Sequence, residues 1–353
     1  MSELVARLSE EAILLLIQLI KTQSFSREED QTATLIYDFL RYHGAEVSRD
    51  QNNVWAVSQH FDTSKPTILL NSHHDTVKPG ATWTYDPFGA VLEGDKLTGL
   101  GSNDAGASAV SLLATFLYFH QKDLAFNLIC AITAEEEVSG ANGIRSLLPQ
   151  LGRIDLGIVG EPTQMDMAIA EKGLVVLDCV AHGKTGHAAR NEGENALYKA
   201  VADIQWFQHY HFIEVSPLLG PVKMTVTQIQ AGTQHNVVPD RCQFVVDVRT
   251  NEFYSNEEVV QLVKRHVQSE VTARSYHLNS SRIAPEHPLV QQGMSMGKKT
   301  FGSATLSDQA MMSFPTVKMG PGDSARSHTP DEYIYLSEIR NGIKDYIQLL
   351  EGM

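Results

Sequence analysis

Five short segments, far apart in the chain, carry side chains that bind divalent metal ions. Each holds an imidazole or a carboxylate: residues 72–75 (Ser-His-His-Asp), 101–104 (Gly-Ser-Asn-Asp), 135–137 (Glu-Glu-Glu), 160–163 (Gly-Glu-Pro-Thr) and 327–330 (Ser-His-Thr-Pro). Three of the segments contain Gly or Pro, which is typical of side chains presented from turns at strand ends. If the fold brings the segments together, they could hold two divalent ions. This pattern predicts a metallohydrolase.

The composition limits what kind of protein this is. At 353 residues the chain is long enough for two domains, and 42% hydrophobic with 20% charged residues is usual for soluble globular proteins. A net charge of −14 argues against nucleic-acid or membrane partners. The isolated Cys130, Cys179 and Cys242 lie in apolar surroundings and are predicted to be buried free thiols, which indicates a cytoplasmic protein.

The first half of the chain alternates short apolar runs with helical patterns. Strands are predicted at 54–57, 67–70, 126–133 and 156–159, and helices at 30–43, 105–120 and 140–148, while the apolar run 13–20 is predicted to be the buried face of an amphipathic first helix. This order predicts an α/β fold with a mostly parallel sheet. Functional groups gather beyond the carboxyl ends of such strands. His73, Glu135 to Glu137 and Glu161 directly follow predicted strands, so we expect them to meet.

From about Glu171 the pattern becomes that of a separate α+β unit. Its predicted strands are 175–181, 222–230 and 243–249, and its predicted helices are 194–208 and 255–271. A helix, a strand at 316–319 and a final helix at 336–350 then follow. We therefore predict a catalytic domain formed by residues 1–171 and 283–353, with residues 172–282 inserted between its two parts.

Six motifs together resemble one family. They are His73-His74-Asp75, Gly101 to Gly106, Glu135 to Glu137, Gly160 to Thr163, Gly186-His187-Ala188-Ala189 and His328 to Glu332. In this order and over nearly the whole chain, they resemble the co-catalytic zinc family of aminoacylase, acetylornithine deacetylase and succinyl-diaminopimelate desuccinylase. The resemblance implies a zinc-peptidase-like catalytic domain, whose mostly parallel twisted sheet is flanked by helices, and an inserted α+β lid and dimerisation domain.

The resemblance also implies a metal centre. His73 and Glu161 would bind one ion, Glu137 and His328 the other, and Asp104 would bridge them. The ions would be Zn²⁺, with Co²⁺ as the alternative. Four positive charges would be balanced by three carboxylates and a bridging hydroxide.

Two choices of residue depend on spacing. Adjacent strand residues point to opposite faces, so the His-x-Asp spacing favours His73 as the ligand and Asp75 as the acceptor that fixes its tautomer. His74 is then expected to pack or to face solvent. In the glutamate run the family pattern makes Glu136 the general base and Glu137 the ligand, although a register one residue away stays open.

Three further residues match family positions in the inserted unit. His187 resembles a lid histidine that reaches over from the partner subunit to hold the oxyanion, so activity would need a homodimer; the alternative is a simple turn. Asn236 and Arg249 resemble substrate contacts, with Arg249 pairing the substrate α-carboxylate. The alternative for Arg249 is a surface ion pair.

The resemblance is greatest to acetylornithine deacetylase-like members, which implies removal of the acetyl group from N-acetyl-L-ornithine in arginine biosynthesis. The open alternatives are a desuccinylase of succinyl-diaminopimelate, an enzyme for succinylated or acetylated citrulline or ornithine, a dipeptidase, and a non-catalytic metal-binding relative. Asp323 would suit an amine-bearing side chain and Arg326 an acidic acyl group. The sequence leaves open which of them faces the pocket.

Overall fold

The structure is a computed structural model that describes residues 3–353. Its helices are α1 (Glu3–Lys21), α2 (Asp30–Tyr42), α3 (Ala107–Phe119), α4 (Ile144–Leu147), α5 (Ala196–His209), α6 (Asn256–His266), α7 (Pro288–Ser295) and α8 (Leu336–Glu351). Its strands are β1 (Val47–Asp50), β2 (Asn53–Val57), β3 (Thr67–His73), β4 (Val91–Glu93), β5 (Lys96–Thr98), β6 (Asn127–Thr133), β7 (Leu156–Val159), β8 (Met167–Glu171), β9 (Gly173–His182), β10 (Gly186–His187), β11 (Lys223–Ala231), β12 (Val237–Val238), β13 (Arg241–Thr250), β14 (Glu270–Ala273), β15 (Ser281–Arg282), β16 (Thr300–Ser303), β17 (Thr316–Lys318) and β18 (Tyr333–Tyr335).

The chain forms two compact units. One comprises the chain up to Ile169 together with Ile283–Phe301 and Ser307–Met353, and the other comprises Ala170–Arg282 with Gly302–Leu306. The second unit therefore interrupts the first in sequence. The predicted role of residues 172–282 as a lid and dimerisation domain stays a prediction.

The sheet of the first unit is parallel at its centre and antiparallel towards its edges. Its strand order is β1-β2-β6-β3-β7-β17-β8, and β3 pairs in parallel with both β6 and β7. All seven residues of β3 are buried, as expected for a strand covered on both faces. This mixed, mostly parallel sheet confirms the predicted fold class.

Helices α1, α2, α3 and α8 contribute to one hydrophobic core with the sheet. In α3 every residue except Tyr118 is buried, which is the pattern of a helix surrounded by protein. The small Ala and Ser side chains of α3 allow neighbouring elements to pack closely against it. Burying each large aliphatic side chain contributes roughly 1.5–3 kcal/mol, so the core fixes the strands whose ends carry the candidate site.

The second unit contains a four-stranded antiparallel sheet in the order β11-β13-β9-β14. Side chains along β9 alternate between buried and partly exposed, so one face of the sheet belongs to the core that also contains residues of α5 and α6. Asn195 caps the start of α5, and Ser255 with Glu258 forms a capping box at the start of α6.

Two predicted helices are wrong in extent. The helix expected at 140–148 is only α4, because its first residues pack instead against the turn at 134–135. The Gly140 N–H donates to the Glu135 carbonyl oxygen at 2.8 Å, and a Cβ at Gly143 would lie 2.3 Å from the Ala134 carbonyl oxygen. The helix expected at 255–271 ends at His266. The Asp203 carboxylate accepts hydrogen bonds from the Gln268 and Ser269 N–H groups, and β14 follows.

The cysteines agree with the compositional expectation. Cys130, Cys179 and Cys242 are free and buried, as predicted. Among the helices of residues 3–353, none is both long enough and apolar enough to cross a bilayer.

Candidate metal centre

His73 ends β3 with its ring only 1% exposed. Its Nδ1 lies 3.1 Å from the Asp75 carbonyl oxygen and 3.3 Å from Asp75 Oδ1, so Nδ1 carries the proton and donates it. Nε2 faces away from Asp75, 3.4 Å from Asp104 Oδ1, and this buried nitrogen has no hydrogen-bond partner within residues 3–353. Such an arrangement suits a metal ligand whose tautomer is fixed by a carboxylate.

Asp75 is a fully buried carboxylate that joins several parts of the site. Besides its contact with His73, it accepts hydrogen bonds from the backbone N–H groups of Glu136 (3.0 Å) and Glu137 (3.1 Å) and from the Ser26 hydroxyl (2.7 Å). It therefore fixes both the His73 ring and the start of the glutamate turn.

Asp104 lies between the two histidines of the cluster. Its Oδ1 is 3.4 Å from His73 Nε2, and its Oδ2 is 3.5 Å from His328 Nε2. One carboxylate oxygen thus faces each imidazole, which is the geometry expected of a bridging carboxylate. The peptide bond between Asp104 and Ala105 is cis.

The glutamate turn follows β6 and presents two acids to the cluster. Glu135 has a left-handed backbone (φ 57°), and its N–H donates to the buried Glu29 carboxylate at 3.2 Å. Glu137 lies 3.0 Å from His328 Nε2, and Glu136 Oε2 lies 3.9 Å from His73 Nε2. Glu135 itself accepts a hydrogen bond from Asn142, so Glu136 and Glu137 are the two acids of the run that contact the histidines.

Glu161 follows β7 and completes the cluster, with Oε1 at 3.7 Å from His73 Nε2. Burial, opposed by His73, raises the pKa of Glu161 to about 8 and raises the pKa of Glu136 well above its usual range. The hydrogen bond to Glu137 raises the pKa of His328 to about 9. Crowded buried carboxylates of this kind are stabilised by cations, which also require neutral imidazoles.

These side chains fit divalent metal ions. Ligand atoms of His73, Asp104 and Glu137 lie within 4.8 Å of one another, and Glu161 and His328 flank them. Imidazole with carboxylate oxygen is a donor set that suits Zn²⁺ and its neighbours. The buried Nε2 of His73, which has no hydrogen-bond partner within residues 3–353, is the observation that most directly supports a metal ion at this position.

His74 points away from this cluster. Its Nδ1 lies 2.9 Å from the Thr32 hydroxyl, and its Nε2 lies 2.9 Å from the Asn52 carbonyl oxygen. Desolvation by burial lowers the pKa of His74 to about 4. Of the two expected environments, packing or solvent, the structure shows packing.

The remaining predicted residues lie in the second unit. His187 is exposed and pairs in β10 with Val237 of β12, and the Asn236 carbonyl oxygen accepts the Ala188 N–H. The Arg249 guanidinium donates to both oxygens of Asp247, at 2.8 and 3.1 Å, on strand β13. This is the ion pair given as the alternative for Arg249, and its role towards substrate stays a prediction.

The loop from Gly320 to Ser327 uses its charged residues locally. Asp323 accepts hydrogen bonds from the Ala325 N–H and the Gln164 amide. Arg326 pairs with Glu338 at 2.7 Å and lies over the Tyr333 ring. Both residues therefore have partners within the first unit.

Sequence reasoning assigned no role to four buried or partly buried residues around the cluster. The Ser26 hydroxyl donates to Asp75, and the Glu29 carboxylate accepts the Glu135 N–H. Glu332 accepts the Asn103 N–H, and Asp308 accepts the Thr133 hydroxyl at 2.8 Å beside the end of β6. Only Glu332 lay within a motif quoted for the family resemblance. The others had no signal, because their partners come from remote segments.

The fold and this cluster define the class: an α/β protein with a candidate site for divalent metal ions. The chain belongs to peptidase family M20/M25/M40, whose model matches residues 69–352. As a member of this family, it is a hydrolase of amide C–N bonds. The predicted family resemblance is confirmed.

Curated relatives cover most of the chain. Succinyl-diaminopimelate desuccinylase 2 of Ruegeria sp. (strain TM1040) is 26% identical over 361 residues, which cover 92% of this chain and 90% of the relative. Acetylornithine deacetylase of Myxococcus xanthus is 26% identical over 309 residues, covering 81% of this chain and 80% of the relative.

Solved structures show that the fold is shared. Aminopeptidase PepT from Bacillus cereus ATCC 10987 superposes with a TM-score of 0.76 at 17% identity, with 98% of each chain covered. A dinuclear metal-binding peptidase of the same family from Bacillus subtilis gives a TM-score of 0.75 at 17% identity, with 99% of this chain and all of that chain covered.

Proposed function

We propose that the protein is a metal-dependent amidohydrolase that removes the succinyl group from an N-succinyl amino acid of the succinyl-diaminopimelate type. The proposed metal-dependent hydrolysis rests on the cluster of possible metal ligands around His73 Nε2, which has no hydrogen-bond partner within residues 3–353. The acyl group is supported by relatives named succinyl-diaminopimelate desuccinylase, at 26–28% identity. Deacetylation of N-acetyl-L-ornithine, our prediction from the sequence, is less well supported and becomes the second candidate.

We assign two divalent ions to the cluster, with His73 and Glu161 on one, Glu137 and His328 on the other, and Asp104 between them. The facing of Asp104 Oδ1 to His73 and of Oδ2 to His328 supports this division. Zn²⁺ is the metal that the ligands suit best. Ions bound here would supply Lewis acidity towards the water nucleophile and the amide carbonyl.

Glu136 is the general base in this proposal. It takes the proton from the attacking water and later gives it to the departing amine nitrogen. Its position beside His73, outside the ligand set assigned above, supports this assignment. Asp75 keeps the His73 ring and the Glu136 backbone in place.

The second unit would supply substrate contacts. We propose that Arg249 exchanges its Asp247 partner for the substrate carboxylate, that Asn236 binds substrate, and that His187 holds the oxyanion in the site of a partner subunit. The exposure of His187 and the forked guanidinium of Arg249, which already binds a carboxylate, are compatible with these roles. The homodimer and a cytoplasmic location are part of the proposal.

The test is hydrolysis by the Zn²⁺- or Co²⁺-loaded protein of matched N-succinyl and N-acetyl forms of diaminopimelate, ornithine and citrulline. We expect turnover of a succinylated substrate and a fall of about 10²–10⁴-fold in kcat for Glu136→Gln, with metal content unchanged. Glu257→Gln, an exposed acid in the first turn of α6, is the control and should keep wild-type turnover.

Turnover of acetylornithine alone would select the second candidate. Cleavage of dipeptides with a free amino group would instead indicate a dipeptidase. No turnover of any of these substrates by folded protein that holds two ions would contradict the proposed amidohydrolase activity.

A further inference from the structure

Glu332 is a buried carboxylate directly before β18, and its side chain reaches the turn that carries Asp104. It is 2% exposed. Oε1 accepts hydrogen bonds from the N–H groups of Asn103 (2.8 Å) and Asp104 (2.9 Å), and Oε2 accepts from the N–H of Gly101 (3.2 Å). Three N–H donors of one turn thus converge on one side chain, while the N–H of Ser102 donates to the Gly99 carbonyl oxygen.

The turn depends on this side chain for its hydrogen bonding. Ser102 and Asn103 are fully buried, so water cannot satisfy the N–H groups around them. The backbone of Glu332 is fixed as well, because its carbonyl oxygen accepts the Gly99 N–H at 2.9 Å. The Glu332 backbone is therefore fixed by Gly99, and the Glu332 carboxylate fixes the backbone of Asp104.

A second set of hydrogen bonds, made by the Asn103 side chain, joins the Asp104 turn to the residues just before His328. Asn103 Oδ1 accepts the Asp323 N–H at 3.0 Å, and Asn103 Nδ2 donates to the Asp323 carbonyl oxygen and to the Ser327 hydroxyl. The Asp104 turn is thereby joined to the segment that carries His328. A substitution at Glu332 would therefore alter the positions of both Asp104 and His328.

A neutral side chain could not replace this carboxylate. Both oxygens accept from N–H groups, whereas in glutamine one position would be an NH₂ group facing an N–H donor. Burial and the neighbouring Asp104 carboxylate raise the pKa of Glu332 to about 8. Divalent cations in front of Asp104 would favour the charged form of Glu332.

We propose that Glu332 is a positioning residue of the metal centre: by holding the Asp104 backbone, it places one carboxylate oxygen towards His73 and the other towards His328. This inference rests on the proposed function, because it takes Asp104 as the bridging ligand. Loss of the Glu332 contacts should therefore weaken ion binding while the fold remains.

The experiment compares wild type, Glu332→Gln and a matched control, Asp203→Asn. Asp203 is a buried carboxylate of the second unit that likewise accepts two backbone N–H groups, from Gln268 and Ser269. Chelator-treated proteins are titrated with Co²⁺, and binding is followed by calorimetry and by the visible absorption of bound cobalt. Circular dichroism and thermal unfolding check the fold.

We expect Glu332→Gln to weaken at least one of the two binding steps by about 10–100-fold and to change the cobalt absorption, as is usual when the partner of a metal ligand is lost. Asp203→Asn should lower the unfolding temperature and keep both affinities. If Glu332→Gln does not fold, Glu332→Asp, which keeps the charge but withdraws the carboxylate, should show the same weakening.

Wild-type Co²⁺ affinities and absorption in a folded Glu332 variant would overturn the inference. A wild-type protein that binds no Co²⁺ would instead contradict the proposed function. The two failures are therefore distinguishable.

Discussion

At the scale of single residues, strand geometry places the side chains of the adjacent His73 and His74 in different environments. His73 faces the acidic cluster, whereas His74, on the opposite face, bonds to Thr32 and Asn52. Both of its ring nitrogens are engaged without a carboxylate partner. His74 is therefore a neutral packing residue, while His73 is suited to metal binding.

This difference predicts a pH dependence of stability. The pKa of His74 is lowered by burial to about 4 in the folded protein from 6.5 in the unfolded chain. The unfolded state binds the extra proton between these values, so the contribution is complete above pH 6.5 and is lost as pH falls from 6.5 to 4. The loss should reach about 3 kcal/mol.

Urea unfolding of metal-free wild type and His74→Gln at a series of pH values measures this effect. The free energy of unfolding of wild type should fall more steeply than that of the variant in this window, with the curves parallel above it. Parallel curves throughout would contradict the neutral, buried state of His74.

The ligand types of the candidate site could be predicted from the sequence, whereas much of their support could not. His73, Asp104 and Glu137 belong to short sequence motifs whose residue types alone indicate metal binding. Ser26 and Glu29, by contrast, bond to Asp75 and to the Glu135 N–H, which become neighbours only after folding. No spacing rule connects such pairs.

At the scale of elements, the site is built where parallel strands end. His73 closes β3, the glutamate turn follows β6, and Glu161 follows β7. Strand β17 pairs in parallel with β7, so the loop after β17 lies against Glu161. Gly320 is the residue of that loop that permits the close approach.

Replacing Gly320 should disturb this junction. A Cβ there would lie 2.3 Å from the Ser108 hydroxyl and 2.6 Å from the Glu161 carbonyl oxygen. Gly320→Ala should therefore lower the free energy of unfolding by about 1–3 kcal/mol and weaken metal binding by shifting Glu161. Chemical denaturation and Co²⁺ titration check both.

Gly80→Ala is the control, since nothing lies within 4 Å of a Cβ at that position. It should leave stability and affinity close to those of wild type. If Gly320→Ala behaves like Gly80→Ala, the contact between the two loops does not constrain Glu161.

Apolar runs predicted the strands well because β3, β6 and β7 are buried along their length. Prediction failed where a remote group decided the structure. The Asp203 carboxylate takes the N–H groups beyond His266, although apolar Val267 and Val271 continue a helical pattern in the sequence. Local periodicity carries no information about such a distant acceptor.

At the scale of the whole molecule, the proposal that His187 acts in the partner's site predicts complementation. Glu136→Gln and His187→Ala should each be nearly inactive. When the two are mixed, dissociated and reassociated, each mixed dimer would contain one site with an intact base and an intact histidine. Activity should then recover to about a quarter of wild type.

Sedimentation shows whether each protein is a dimer, and steady-state turnover measures the recovery. Each variant reassociated with itself is the control and should stay inactive. A fully active monomer, or mixed dimers without recovered activity, would contradict the role given to His187.

The chain order of the site has a consequence for synthesis on the ribosome. His73, Asp104, Glu137 and Glu161 all precede the second unit, while strand β17 and His328 follow it. At about 5–20 residues per second, roughly 10–30 s separate the emergence of Glu161 from that of His328. During this interval the nascent first unit has its carboxylates but lacks its second imidazole and one of its sheet strands. Completion of the centre therefore becomes a late checkpoint, which a polypeptide reaches only after the entire inserted unit has been translated.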